Sequence, residues 1–402
     1  MVMKPYLLFF CGMIGPVSIT ALSIGAQAQE SNPPSSSIIA AKLQPFVDEH
    51  TMAGAVVLVA TKDKVLDLEA VGYADLAQNK PMQTDDIFWI ASMSKPMTAT
   101  ALMMLVDEGK VSVDDPVERY LPEFKGQMVI DPKDLAKTPH PPNHPILIRN
   151  ILSHTSGLPP ISPVEKPTLD LLPLSEAVRA HARDALRFQP DTEYEYSNAG
   201  INTAGRIVEV VSGMPYEKFM EERLFQPLGM KDTTFWPNAE QLKRLAKSYK
   251  ENAAKNGLEE LNIGQLHYPL DDTKVRFPMP AGGLFSTASD VAKFGQMILN
   301  GGMFEGKRYL SEAAVHQMTS RQTGNNIKAS YGFGWSVGDR GFGHGGAYKT
   351  DLHIDPRLGL VTVFMVQQGS NWPNSDGSKI LPAFHAAAAA EAPPSMPPPP
   401  KI

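Results

Sequence analysis

Cysteine is almost missing from this chain of 402 residues: the one present is Cys11, inside an apolar N-terminal stretch. The rest of the chain cannot use disulfides, thiolate catalysis or a zinc–cysteine centre, so its core alone must hold it. Charge of one sign is also not concentrated. The 43 acidic and 37 basic residues are interspersed and give a net charge of −6, without the basic stripe that nucleic-acid binding requires. The sequence has no G-x-S-x-G elbow and no H-E-x-x-H pair. His140 and His144 are four apart, but Pro141 and Pro142 between them prevent the helical turn that would align them. No internal repeat is visible. With 43% hydrophobic and 20% charged residues, the composition is that of a globular protein long enough for one large domain or two interleaved ones.

Both ends read as additions to the fold. Residues 1–28 have the form of a secretory signal: Lys4 precedes an apolar run, and Ala26-Gln27-Ala28 supplies the small-x-small pattern of a cleavage site. The run is long enough to span a bilayer, but Pro16 interrupts it. We expect a cut after Ala28 and a periplasmic or secreted protein, with a membrane anchor only if the segment is retained. At the other end, 386–402 is an Ala/Pro-rich segment expected to be a disordered tail. Its alanines could extend a last helix, whereas the prolines from Pro393 on cannot.

Between these ends, hydrophobic spacing gives an ordered pattern. A helix is predicted over 35–50, then a hairpin around Thr61-Lys62-Asp63-Lys64. Residues 331–368 read as three or more strands, turning at Gly338-Asp339-Arg340 and Asp355-Pro356-Arg357. The middle is mostly helix and loop. One predicted helix ends at Gly109, where Met97, Met103 and Met104 read as core packing. A second carries Ile201, Ala204, Ile207, Val208 and Val211 on one face and ends at Gly213. A third opens on Thr287-x-x-Asp290. We expect an antiparallel sheet made from both chain ends (about 36–90 and 330–385) with a mostly helical lobe (about 91–329) inserted. The site would lie where they meet, bordered by Pro-rich loops at 123–145 and 159–168.

Three local features could carry chemistry. Ser92 and Lys95 are three apart at a predicted helix start, so the amine can approach the serine oxygen. A hydroxyl becomes nucleophilic when a base takes its proton, and a lysine serves as base where its charge is disfavoured. Alone, the pair reads equally as a capped helix with a solvated lysine. Tyr196-Ser197-Asn198 precedes another helix. Its tyrosine could exchange protons and its asparagine could donate to a carbonyl, or the asparagine could simply cap the helix. His344-Gly345-Gly346 sits in a Gly-rich strand region, where close backbone approach is possible. His154, in "SHTSG", reads as a structural hydrogen-bonder.

In order and spacing, "SMSK", "YSN" and "HGG" resemble the S-x-x-K, Y-x-N and (K/H)-x-G motifs of serine β-lactamases and penicillin-recognising peptidases. The branch with tyrosine in the second motif is the more similar one: class C β-lactamases, D-alanyl-D-alanine carboxypeptidases, D-aminopeptidases and related esterases. "ILSHTSGLP" and "AGGLFSTASDVAKF" resemble further phrases of that family. The resemblance covers about 36–385 and implies an α/β (α+β), β-lactamase/transpeptidase-like fold over 29–385. It implies that Ser92 is the nucleophile, Lys95 its base and Tyr196 a second acid/base. Asn198, His344 and Gly346 would contact substrate, and the backbone N–H groups of Ser92 and Ala347 would form the oxyanion hole. The partner would be a small-molecule or peptide substrate, with no metal or organic cofactor. The β-lactamases of this group usually carry lysine where this chain has His344, which implies a weaker or pH-dependent anion site and favours an esterase or D-amino-acid peptidase over a strong β-lactamase. A non-catalytic, penicillin-binding sensor of the same fold is the alternative. The sequence carries no signal for an oligomeric state. Mass spectrometry of the exported protein should find Gln29 as its first residue; an N-terminus upstream of it would overturn the predicted cut.

Overall fold

An unbroken apolar stretch, residues 54–60, lies inside the main sheet. A computed structural model describes residues 38–130, 138–160, 162–369, 371–373 and 375–392. The signal, its cleavage site and the segment from Pro393 on lie outside the described residues. Helix α1 (Ile38–Asp48) leads into β1 (Gly54–Ala60), β2 (Val65–Asp75) and the short β3 (Lys80–Pro81). The helices that shape the site are α2 (Ser94–Asp107), α3 (Leu174–His181), α4 (Asn198–Ser212) and α5 (Ala288–Leu299). Strands β4 (Ser336–Gly338), β5 (Gly341–Gly345), β6 (Asp351–Asp355) and β7 (Leu360–Met365) follow, then α6 (Ile380–Ala390).

The sheet order is β4-β5-β6-β7-β1-β2-β3, antiparallel throughout. The two chain ends meet where β1 pairs with β7, Leu58 opposite Val363. Every residue of β1 is buried, because both faces of this central strand are covered. Ala55, Val57 and Val59 join Leu43 of α1 and Phe384 of α6 on one side. Val56, Leu58 and Ala60 point the other way, into the core that holds Phe294 and Met297 of α5. This is the period-two alternation of a strand, read by two different cores.

Two expectations need correction. Helix α5 belongs by sequence to the inserted helical lobe, yet it packs directly on β1 and β7. A Cβ at Gly295 would lie 2.5 Å from Val361 Cγ1, so only glycine lets the helix sit this close. The described residues from Ile38 on form one compact unit, with α5 joining the inserted helices to the sheet. The alanines after 385 are not tail: α6 runs through Ala390, with Ala387 and Ala388 buried against the sheet, because burial rewards a helix face that composition alone leaves undecided.

Phe364 is the bridge between sheet and α6, its ring 5.5 Å from that of Phe384. Phe364→Ala should cost about 3–5 kcal/mol in urea unfolding; a loss under about 1 kcal/mol would mean that α6 does not close this core.

Candidate active site

Helix α2 is buried on nearly every side, including Met97, Met103 and Met104, as expected of a helix through a protein centre. Its first turn is preceded by a 3-10 turn, Ala91–Met93, which carries Ser92. Ala91 has φ 45°, a left-handed conformation that a non-glycine residue rarely adopts. The segment is held from both sides: Trp89 Nε1 donates to the Gly282 carbonyl at 2.7 Å, and Gln367 Nε2 donates to the Trp89 carbonyl at 3.1 Å. The neighbouring Ser94 is spent on structure, its hydroxyl donating to the Ala91 carbonyl at 2.7 Å. Ser92 is the partly exposed one.

Lys95 is fully buried. Its Nζ lies 2.9 Å from Ser92 Oγ, 3.0 Å from Asn198 Oδ1 and 2.7 Å from the Ala281 carbonyl oxygen. Burial pulls its pKa down to about 7, opposed by the Glu165 carboxylate. A neutral amine has two N–H bonds and one lone pair. Asn198 Oδ1 and the Ala281 carbonyl can only accept, so the two N–H bonds go there, and the lone pair faces Ser92, the one partner with a proton to give.

Tyr196 lies against this pair. Its ring centroid is 4.6 Å from Lys95 Nζ. Burial raises its pKa well above the ordinary tyrosine value, a hydrogen bond with Ser92 opposing that rise, so the phenol keeps its proton at neutral pH. Asn198 opens α4, but Ser197 occupies the cap position and donates instead to the Pro159 carbonyl at 2.7 Å. Asn198 is thus freed from capping and grips Lys95. Its side-chain amide also meets Glu165. Glu165 is buried in the Pro-rich 159–168 segment and accepts the Ser162 amide at 2.9 Å. Burial raises the Glu165 pKa, against the pull of the Ser162 and Asn198 hydrogen bonds and of Lys95.

His344 Nδ1 is 2.8 Å from the Gly345 carbonyl oxygen, which only accepts, so Nδ1 carries the proton. Its Nε2 then accepts from the Tyr331 hydroxyl at 2.9 Å. Burial, reinforced by Lys95, lowers its pKa to about 3. Of the two expectations, a weaker or a pH-dependent anion site, this geometry fits the weaker one: His344 stays neutral across the physiological range, with both ring nitrogens engaged. Gly346 also has a packing use. A Cβ there would come within 2.6 Å of the Ile90 carbonyl oxygen and 2.1 Å of Thr350 Oγ1, so the glycine lets the β5–β6 turn close on the strand leading to Ser92. Ala347 is exposed in that turn.

Sequence reasoning did not find Glu165, Tyr331 or the Ala281 carbonyl. The signal was present only as phrase similarity, since "AGGLFSTASDVAKF" begins at Ala281. A cavity of about 810 Å³ with Phe235 and Trp236 in its wall is lined by none of these residues. It contains no serine–base pair, so chemistry locates the site where cavity size does not.

A serine with an amine lone pair aimed at its hydroxyl, beside a protonated phenol, has the chemical parts that acyl transfer through a serine requires. The family model described as Beta-lactamase matches residues 39–381, and the chain belongs to that family. Protein Rv1367c of Mycobacterium tuberculosis is 33% identical over 81% of this chain and 88% of its own. Penicillin-binding protein 4 of Amycolatopsis lactamdurans is 30% identical over 80% and 82%. Among solved structures, EstCE1, a hydrolase with promiscuous acyltransferase activity, is 25% identical, with a TM-score of 0.70 over 87% of this chain and 97% of its own.

With ¹³C-labelled lysine, the Lys95 resonance should titrate near pH 7 and not near 10. Glu165→Gln, which removes the anion that favours the ammonium form, should move that midpoint lower; an upward shift would contradict the placement of Glu165 beside Lys95.

Proposed function

We propose that this protein is a serine hydrolase that cleaves uncharged carboxylic esters through an acyl-enzyme on Ser92. The observation that carries the choice of substrate is the neutral His344 at the position where the family's β-lactamases usually have lysine. A neutral ring with both nitrogens engaged offers a substrate carboxylate neither a cation nor a free N–H, and burying an unpaired carboxylate is costly.

In the first half-reaction Lys95 takes the Ser92 proton as Oγ bonds to the ester carbonyl carbon. The C=O pair moves onto oxygen, facing the N–H groups of Ser92 and Ala347. Collapse breaks the bond to the alcohol, which leaves with a proton delivered through Tyr196. Water then adds to the acyl carbon, passes its proton back through the same pair, and releases the acid and Ser92. Relatives named as a penicillin-binding protein and as a hydrolase with acyltransferase activity fit a site that forms an acyl-enzyme. The leader at 1–28 supports a periplasmic or secreted location.

Purified protein and its Ser92→Ala variant should be assayed with p-nitrophenyl butyrate and nitrocefin. The ester should turn over, with a loss of about ten-thousandfold or more in the variant, and nitrocefin should be the far poorer substrate. Comparable nitrocefin turnover would favour a β-lactamase despite His344. Stable penicillin labelling without turnover of either would favour the non-catalytic sensor.

A further inference from the structure

We propose that His154 is the positioning residue for Tyr196, gripping the chain on both sides of it. The proposal rests on Tyr196 acting as an acid/base in the reading above. The Glu195 amide donates to the His154 carbonyl oxygen at 3.0 Å. The Ser197 amide donates to His154 Nδ1 at 3.2 Å. One residue thus accepts the backbone N–H groups immediately before and after Tyr196, through its main chain and its ring in turn.

The ring also packs on what it positions. Its centroid lies 4.5 Å from that of Tyr196 and 4.8 Å from that of Tyr331. Both the carbonyl and the ring can face the same segment because His154 has φ 59°, the left-handed conformation. That conformation is costly for a non-glycine residue and persists only where the surroundings enforce it. The surroundings do so: the Thr155 amide donates to the Asn150 carbonyl and the Arg187 amide to the Gly157 carbonyl, so the 154–157 turn is stitched on both sides. His154 is 1% exposed, and desolvation keeps it neutral, leaving Nδ1 free to accept. Serine chemistry needs the phenolic oxygen at a fixed distance from Ser92, and a displacement of about 1 Å can cost about a hundredfold in rate. Histidine satisfies three demands at this position: an acceptor on the second side-chain carbon, tolerance of the left-handed region, and a flat face for the tyrosines.

Asparagine meets the first two demands, since its Oδ1 stands where Nδ1 does and it tolerates the left-handed region. Phenylalanine meets only the third. Steady-state hydrolysis of p-nitrophenyl butyrate should be compared for wild type, His154→Asn, His154→Phe, Tyr196→Phe and the double variant His154→Phe/Tyr196→Phe, with thermal melts confirming folding. We expect His154→Asn to keep kcat within about threefold, and His154→Phe to lose about a hundredfold in kcat with KM nearly unchanged. The double variant should be no slower than Tyr196→Phe, because residues acting as a unit are not additive. If His154→Phe does not fold, His154→Gly removes the acceptor while accepting the left-handed backbone, and the same kcat loss is expected. The proposal is overturned if either acceptor-free variant keeps kcat within about threefold, or if His154→Asn falls as far as they do. A Tyr196→Phe variant of full activity overturns it from beneath, and is recognisable because the unexpected result then belongs to Tyr196 and not to His154.

Discussion

The structure depends on one buried amine. Lys95 sits in the first turn of a helix with no exposed face, where an ammonium ion would lose its water without gaining a counter-ion in contact. Among the described residues, no carboxylate lies at hydrogen-bond distance from its Nζ. The protein supplies two oxygens that can only accept, Asn198 Oδ1 and the Ala281 carbonyl, and one hydroxyl. That set suits a neutral amine, and it orients the lone pair as well as tolerating it. The acceptors are themselves fixed. Asn202 Oδ1, one turn along α4 from Asn198, accepts the Ala281 amide at 3.0 Å. The same helix thus holds both oxygens that take the lysine's protons.

Much of this architecture was legible because it rests on local pattern. The unbroken apolar run of β1, the hairpin turn at 61–64 and the turns at 338–340 and 355–357 name their elements without tertiary help. The three motifs were legible as a set, since each supplies a different chemical part. What stayed hidden is what the chain makes by bringing distant segments together. Glu165 reads as one more polar residue in a Pro-rich loop until the fold sets it against Asn198. Tyr331 is 13 residues from His344 in sequence, yet its hydroxyl donates to the ring nitrogen that the Gly345 carbonyl leaves unprotonated. The sheet contact of α5 depends on Gly295 facing Val361, a relation that periodicity within one helix does not contain.

The His344–Tyr331 pair shows how a conservative-looking exchange can invert a site's electrostatics. A lysine at this place would bring a mobile ammonium to the rim. A histidine brings a ring that burial makes neutral and two hydrogen bonds make immobile. The nearby positive charge of a protonated Lys95 lowers the His344 pKa further, so the two bases are coupled in one direction: neither gains from charging while the other is charged. In the proposed mechanism, the proton that Lys95 takes from Ser92 moves beside a ring that does not compete for it.

Two left-handed non-glycine residues mark the halves of the site. Ala91 kinks the chain just before Ser92, and His154 turns it beside Tyr196. Each costs conformational energy on the order of 1–3 kcal/mol, and each is buried and over-determined by hydrogen bonds on both sides. At Ala91 the kink lets a 3-10 turn present Ser92 outward while α2 continues inward with Lys95. Without it, a helix running straight through from residue 91 would keep the two residues on one face but set Ser92 deeper in the core. At His154 the kink lets one residue offer two acceptors to one irregular segment. Strain of this kind relaxes easily in an unfolded chain and is held only when the core is complete. The geometry at Ser92 and Tyr196 is thus a product of global stability, set by packing far from either side chain.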